Sequence, residues 1–145
     1  MFKKLALIFV FLFVCGCHNN KPINIDMLKK SSKSWDGKNI TYPIGNEEIT
    51  AIKIDLAPNA KLPFHCHPYP TIGYVISGSI EVEKQDGNSM VFKKGDVIFE
   101  LVKSWHRGRN PSNINKAEII VFYIGQKKSE NTFMFNADNI TKCES

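Results

Sequence analysis

The chain has 145 residues, 43% of them hydrophobic, with 19 basic against 14 acidic side chains and a formal net charge of +5. That length makes one domain able to bury its own core, and the mild basicity, with no basic stripe, excludes nucleic acid as a partner. Four cysteines are too few for a densely disulfide-stapled scaffold.

The first residues, Met1-Phe2-Lys3-Lys4, lead into an apolar run from Leu5 to Val14 and then Val14-Cys15-Gly16-Cys17. A basic start followed by roughly ten apolar residues is too short to span a bilayer and fits a secretory signal. Small Gly16 before a cysteine resembles the bacterial lipobox, so residues 1–16 are expected to be removed and Cys17 lipidated. The rest of the chain then sits outside the cytoplasm, anchored in the bacterial cell envelope. Loss of Lys3 and Lys4 with the leader lowers the formal net charge from +5 to +3.

Residues 17–38 read as a tether and a short N-terminal segment. Asp26 is placed to cap a brief helix through Lys33, with Ile25, Met27 and Leu28 on its apolar side. From residue 39 to residue 128 the pattern becomes β-like. Ile40–Tyr42, Ile49–Leu56, Ile72–Ile76, Ile80–Lys84, Met90–Phe92, Val97–Leu101 and Glu118–Ile124 are rich in β-branched and aromatic residues and are separated by turns such as Ser77-Gly78 and Lys94-Gly95-Asp96. Even spacing without long helical patterns predicts an antiparallel sandwich or small barrel. Ile52, Ile54 and Leu56 share one strand face, while Ile119–Ile124 is apolar throughout, as expected of a central strand covered on both faces. Residues 129–145 form a C-terminal extension.

Two histidine segments stand out within the β-like region: His65-Cys66-His67 and Trp105-His106. On a strand, alternate side chains share a face, so His65 and His67 project together and Cys66 turns away. A third imidazole from across a barrel completes a facial site for one divalent transition metal, with Fe, Mn, Zn, Ni or Cu all open, and leaves positions for water or a ligand. Cys66 and Cys143, 77 positions apart, are the cysteines left to pair once the leader is removed and Cys17 lipidated, and whether they do is open at this point.

These residues resemble the cupin superfamily. Its first motif, G(x)5HxH(x)3-4E(x)6G, is matched by His65, His67 and Gly78, and its second, G(x)5PxG(x)2H(x)3N, by Gly95, His106 and Asn110. Asn59 stands at the opening glycine, Thr71 at the carboxylate ligand, and Leu101 and Lys103 at the proline and glycine of the second loop. The resemblance implies an all-β jelly-roll barrel, the double-stranded β-helix, carrying a metal on His65, His67 and His106. It also implies that Thr71 leaves a cationic three-histidine site suited to a small anionic ligand, with Gly73 opening space beside it. Glu100 is a candidate compensating carboxylate or general base, and Trp105 the aromatic placed to touch a ligand. The expected partners are that small molecule, the membrane through the anchor, and a second copy of the chain in a homodimer. A metal-dependent oxygenase or isomerase, a non-catalytic binding lipoprotein and a partner-binding lipoprotein with a vestigial site all satisfy this reading.

Overall fold

A computed structural model describes residues 22–144; the leader, Cys17 and His18 lie outside the described residues. Strands β1 (Glu47–Leu56), β2 (His65–Cys66), β3 (Thr71–Ser77), β4 (Ser79–Lys84), β5 (Ser89–Lys93), β6 (Val97–Phe99), β7 (His106–Arg109), β8 (Ala117–Gln126) and β9 (Phe133–Met134) are followed by a short helix, α1 (Ile140–Glu144). They build a four-stranded sheet in the order β1-β8-β3-β6 and a five-stranded sheet in the order β5-β4-β7-β2-β9. Pairing within both sheets is antiparallel, the all-β arrangement expected of a jelly roll.

The core follows from strand alternation. Val75 of β3, Val82 of β4, Ile98 of β6 and Ile119 and Val121 of β8 meet between the sheets in one buried cluster. Burying each such side chain contributes about 1.5–3 kcal/mol. The turn from β3 to β4 depends on Gly78, which has a φ of 71° and whose added Cβ would lie 2.6 Å from the Lys116 carbonyl oxygen. Only glycine meets both demands.

Three local expectations change. Residues 26–33 form no helix, and Ile25, Met27 and Leu28 are exposed. An eight-residue helix cannot nucleate stably without a surface for its apolar side. Ile40–Tyr42 forms no strand, its neighbourhood being limited to a bridge between Lys33 and Asn39 and an Ile40 N–H bond to the Ser32 carbonyl. Central in its sheet, β8 is covered on one face only, for Phe122 on the other is exposed.

The C-terminal extension is built into the barrel. Strand β9 pairs with β2, setting Met134 opposite His65 and Phe133 opposite Cys66. Cys143 then closes a disulfide to Cys66, with an S–S distance of 2.07 Å, which answers the pairing left open by the sequence. Ahead of the barrel, residues 33–39 also fold against it, with the Trp35 N–H donating to the Phe99 carbonyl at 3.0 Å and its side chain packing on the core.

Candidate metal centre

Strand register brings the histidines together. His65 on β2 lies opposite His106 on β7. His67 follows two residues later, fixed by a bridge to Val102 and by the Lys103 N–H, which donates to the His67 carbonyl at 2.8 Å. The ring centroids are 4.7 to 5.0 Å apart, and one ligand atom from each ring lies within 4.8 Å of the other two. Cys66 turns to the opposite side, into the disulfide, as alternation requires.

Each ring is held from behind. His65 Nδ1 meets the Pro63 carbonyl at 2.8 Å, His106 Nδ1 the Ser104 carbonyl at 2.8 Å, and His67 Nδ1 the Asn131 carbonyl at 3.1 Å. A carbonyl only accepts, so the proton of each neutral imidazole sits on Nδ1 and the Nε2 lone pair is free for the centre. Thr132 Oγ1 adds a contact to His67 Nδ1 at 3.2 Å. Burial lowers the pKa of all three, with His67 well below its usual value and His106 down to about 3, while neighbouring imidazoles push His67 and His106 further in that direction. All three rings are therefore neutral near pH 7, the form that ligates a metal.

Other sequence candidates fall in different places. Glu100 is buried in the same cavity wall, with its Oε2 3.7 Å from His106 Nε2, and burial pushes its carboxyl up to about 7. Thr71 is buried beside it, but its hydroxyl donates to the Tyr69 carbonyl at 3.2 Å instead of facing the centre. Gly73 opens no space beside the metal position: a Cβ there would lie 2.8 Å from Ile119 Cδ1, so the glycine admits core packing. Trp105, just ahead of β7, does not line the cavity and stacks edge-on against Phe135 of the extension. The aromatic beside the centre is Tyr123, 5.4 Å from His67 ring to ring. Its inward alternation with Ile119 and Val121 was the available signal. Thr132 and Met134, also in the wall, had none.

The cavity has a volume of about 230 Å³. Its walls are largely aliphatic, with Ile52, Ile54 and Leu56 of β1 facing Ile80 and Val82 of β4, and the histidines form a polar patch within it. The donor set fits a divalent transition metal. His106 Nε2 and Glu100 Oε2 are both buried without a hydrogen-bond partner, a costly state that a shared cation relieves.

Residues 52–123, which include most of the barrel strands and all three histidines, match the Cupin domain family. The chain carries a cupin domain. Its fold is similar to that of an uncharacterized conserved protein with a double-stranded beta-helix domain from Klebsiella pneumoniae, at a TM-score of 0.52 and 15% identity over 67% of this chain and 90% of that one. DMSP lyase DddQ from Ruegeria pomeroyi has a TM-score of 0.50 and 19% identity over 59% of this chain and 42% of its own. Oxalate decarboxylase from Bacillus subtilis has a TM-score of 0.50 and 23% identity over 62% of this chain and 24% of its own. The cupin domain thus spans less than half the length of either enzyme. No curated protein matches the chain.

Proposed function

We propose that this protein is an exported, lipid-anchored cupin that binds one divalent transition metal through His65, His67 and His106 and takes a small anionic ligand with an apolar body. The observation that carries the reading is the set of three neutral imidazoles, each fixed through Nδ1 to a backbone carbonyl, with their ligand atoms within 4.8 Å of one another. When bound, the metal supplies a Lewis acid for an oxygen or sulfur donor of the ligand. The chain's own part is to orient that ligand and keep it dry: the aliphatic walls accept its body and exclude water, and the histidine patch receives its charged end. Among the wall residues the ionisable groups besides histidine are Glu100 and Tyr123. A metal-dependent isomerase would need a proton-transfer group drawn from this short set, whereas an oxygenase would need dioxygen as a co-substrate beside the metal and the ligand. The same scarcity of acid–base groups favours a second reading, capture of a metabolite or metal without turnover.

Export is supported by the basic start, the apolar run and the Cys66–Cys143 disulfide, since such bonds persist in oxidising compartments. Mass spectrometry of the membrane fraction tests the anchor. Cys17→Ser blocks processing and acylation and Cys15→Ser does not; an unmodified Cys17 in the native host ends this part of the proposal. Pairing of two copies is supported by the outer face of the four-stranded sheet, where Ile49, Tyr74 and Phe122 are exposed. For the site itself, untagged protein should carry close to one divalent metal per chain, and small aliphatic carboxylates should bind the metal-loaded form and not the stripped one. Equal binding to both forms contradicts the proposed role of the metal.

A further inference from the structure

We infer that Glu100 is the carboxylate ligand of this centre, displaced by one strand from the position that Thr71 occupies; the inference rests on the three-histidine reading above. The register of β3 and β6 sets Ile72 opposite Phe99 and Gly73 opposite Ile98. One step on, the Glu100 N–H donates to the Thr71 carbonyl at 2.9 Å, so the two residues are cross-strand neighbours. Ile98 points into the core with none of its surface exposed, and by alternation Glu100 points the same way. Neighbours of this kind have Cβ atoms about 5 Å apart, a gap that a glutamate side chain spans. A carboxylate starting from β6 therefore reaches the region that one starting from Thr71 would have served.

The side chains agree with this placement. Thr71 Oγ1 is committed to the Tyr69 carbonyl. Glu100 Oε2 and His106 Nε2 face each other at 3.7 Å, each buried and each without a hydrogen-bond partner. That distance is too long for a hydrogen bond, but it is close to the spacing of about 3–3.5 Å between two atoms that ligate one ion with bonds near 2.1 Å. Glu100 stands nearest His106 and outside the close group that the three rings make, so a rotation of its side chain completes the ligand set as the ion enters. Three imidazoles and one carboxylate hold a divalent ion with a residual single positive charge. The oxygen donor shifts the preference of the site toward manganese and ferrous iron, away from that of a purely nitrogenous site.

The test is titration of untagged protein with Mn(II) and Zn(II), for wild type, Glu100→Gln, and Glu100→Gln combined with Thr71→Glu, each checked for folding by circular dichroism. Glu100→Gln should weaken Mn(II) binding about tenfold or more, with a smaller loss for Zn(II). Adding Thr71→Glu in that background should recover most of the loss, because it returns a charged oxygen to the same part of the cavity. If the double variant does not fold, millimolar formate added to Glu100→Ala should restore Mn(II) affinity instead. Mn(II) binding by Glu100→Gln within about twofold of wild type overturns the inference and leaves the three-histidine reading intact. A loss that neither the second carboxylate nor formate recovers also overturns it, assigning Glu100 to packing or to orienting His106. Wild-type protein that binds neither ion removes the reading and the inference together.

Discussion

The barrel between residues 52 and 123 and the stretch after Gln126 serve the same centre by different means. The barrel decides where the histidines stand: one register pair sets His65 against His106, within walls of alternating aliphatic side chains. The C-terminal stretch decides how part of the site is held. It presents the Asn131 carbonyl and the Thr132 hydroxyl to His67 Nδ1, pairs β9 along β2, and ties Cys143 to Cys66 between two of the histidines. Position here comes from repetitive apolar packing; the Pro63 and Ser104 carbonyls orient His65 and His106 from within the part matching the cupin family, while His67 is oriented by contacts from beyond it.

Cutting the covalent tie should separate the two regions most severely. The Cys66→Ser, Cys143→Ser double variant should lose about 2–4 kcal/mol of stability, since the bond closes a long loop, and denaturant unfolding with and without reductant measures it. An unchanged midpoint would mean that β9 and α1 dock without help from the bond.

Acidification acts next, on the ring cluster. The histidine pKa values in the metal-free fold are lowered from 6.5, that of His106 to about 3. Unfolded chains therefore bind protons that the native state refuses, and the stability of metal-free protein should fall as the pH drops from about 6.5 toward 3. Glu100 has the opposite sign. Its carboxyl is raised from 4.5 to about 7, so its contribution is present below 4.5 and lost as the pH rises through 7. Melting temperatures across this range check both limbs, and Glu100→Gln should flatten only the second.

The smallest effect belongs to the barrel's loops. Asn59 and Lys103, which replace two of the four glycines of the cupin motifs, keep positive φ values of 60° and 51°. Asparagine tolerates that region and lysine does so at a cost. Lys103→Gly should therefore gain about 0.5 kcal/mol while Asn59→Gly stays near neutral, as read from denaturant midpoints.

The same division explains what the sequence discloses. Six predicted strands, the shared face of His65 and His67, the outward turn of Cys66 and the nearness of Glu100 all follow from alternation and motif spacing, which are local. Gly73 and Trp105 are misplaced by the same reasoning, because their surroundings are set by partners distant in the chain: Ile119 for the glycine and Phe135 for the indole. Nothing local marks Phe133–Met134 as a strand or Thr132 as a neighbour of His67, for their conformations depend on β2 already being in place. Tyr123 lines the cavity with Ile119 and Val121 by plain alternation, but a run apolar throughout hides which side chains face inward.

The most direct test of the central claim is the metal content of untagged protein and of four single variants, measured with mass spectrometry after equilibration with equimolar Mn(II), Fe(II) and Zn(II). The wild type and His18→Ala should retain close to one divalent ion per chain, and His65→Ala, His67→Ala and His106→Ala should each retain almost none while keeping their β-sheet circular dichroism. Full retention of metal by folded His106→Ala would contradict the three-histidine centre.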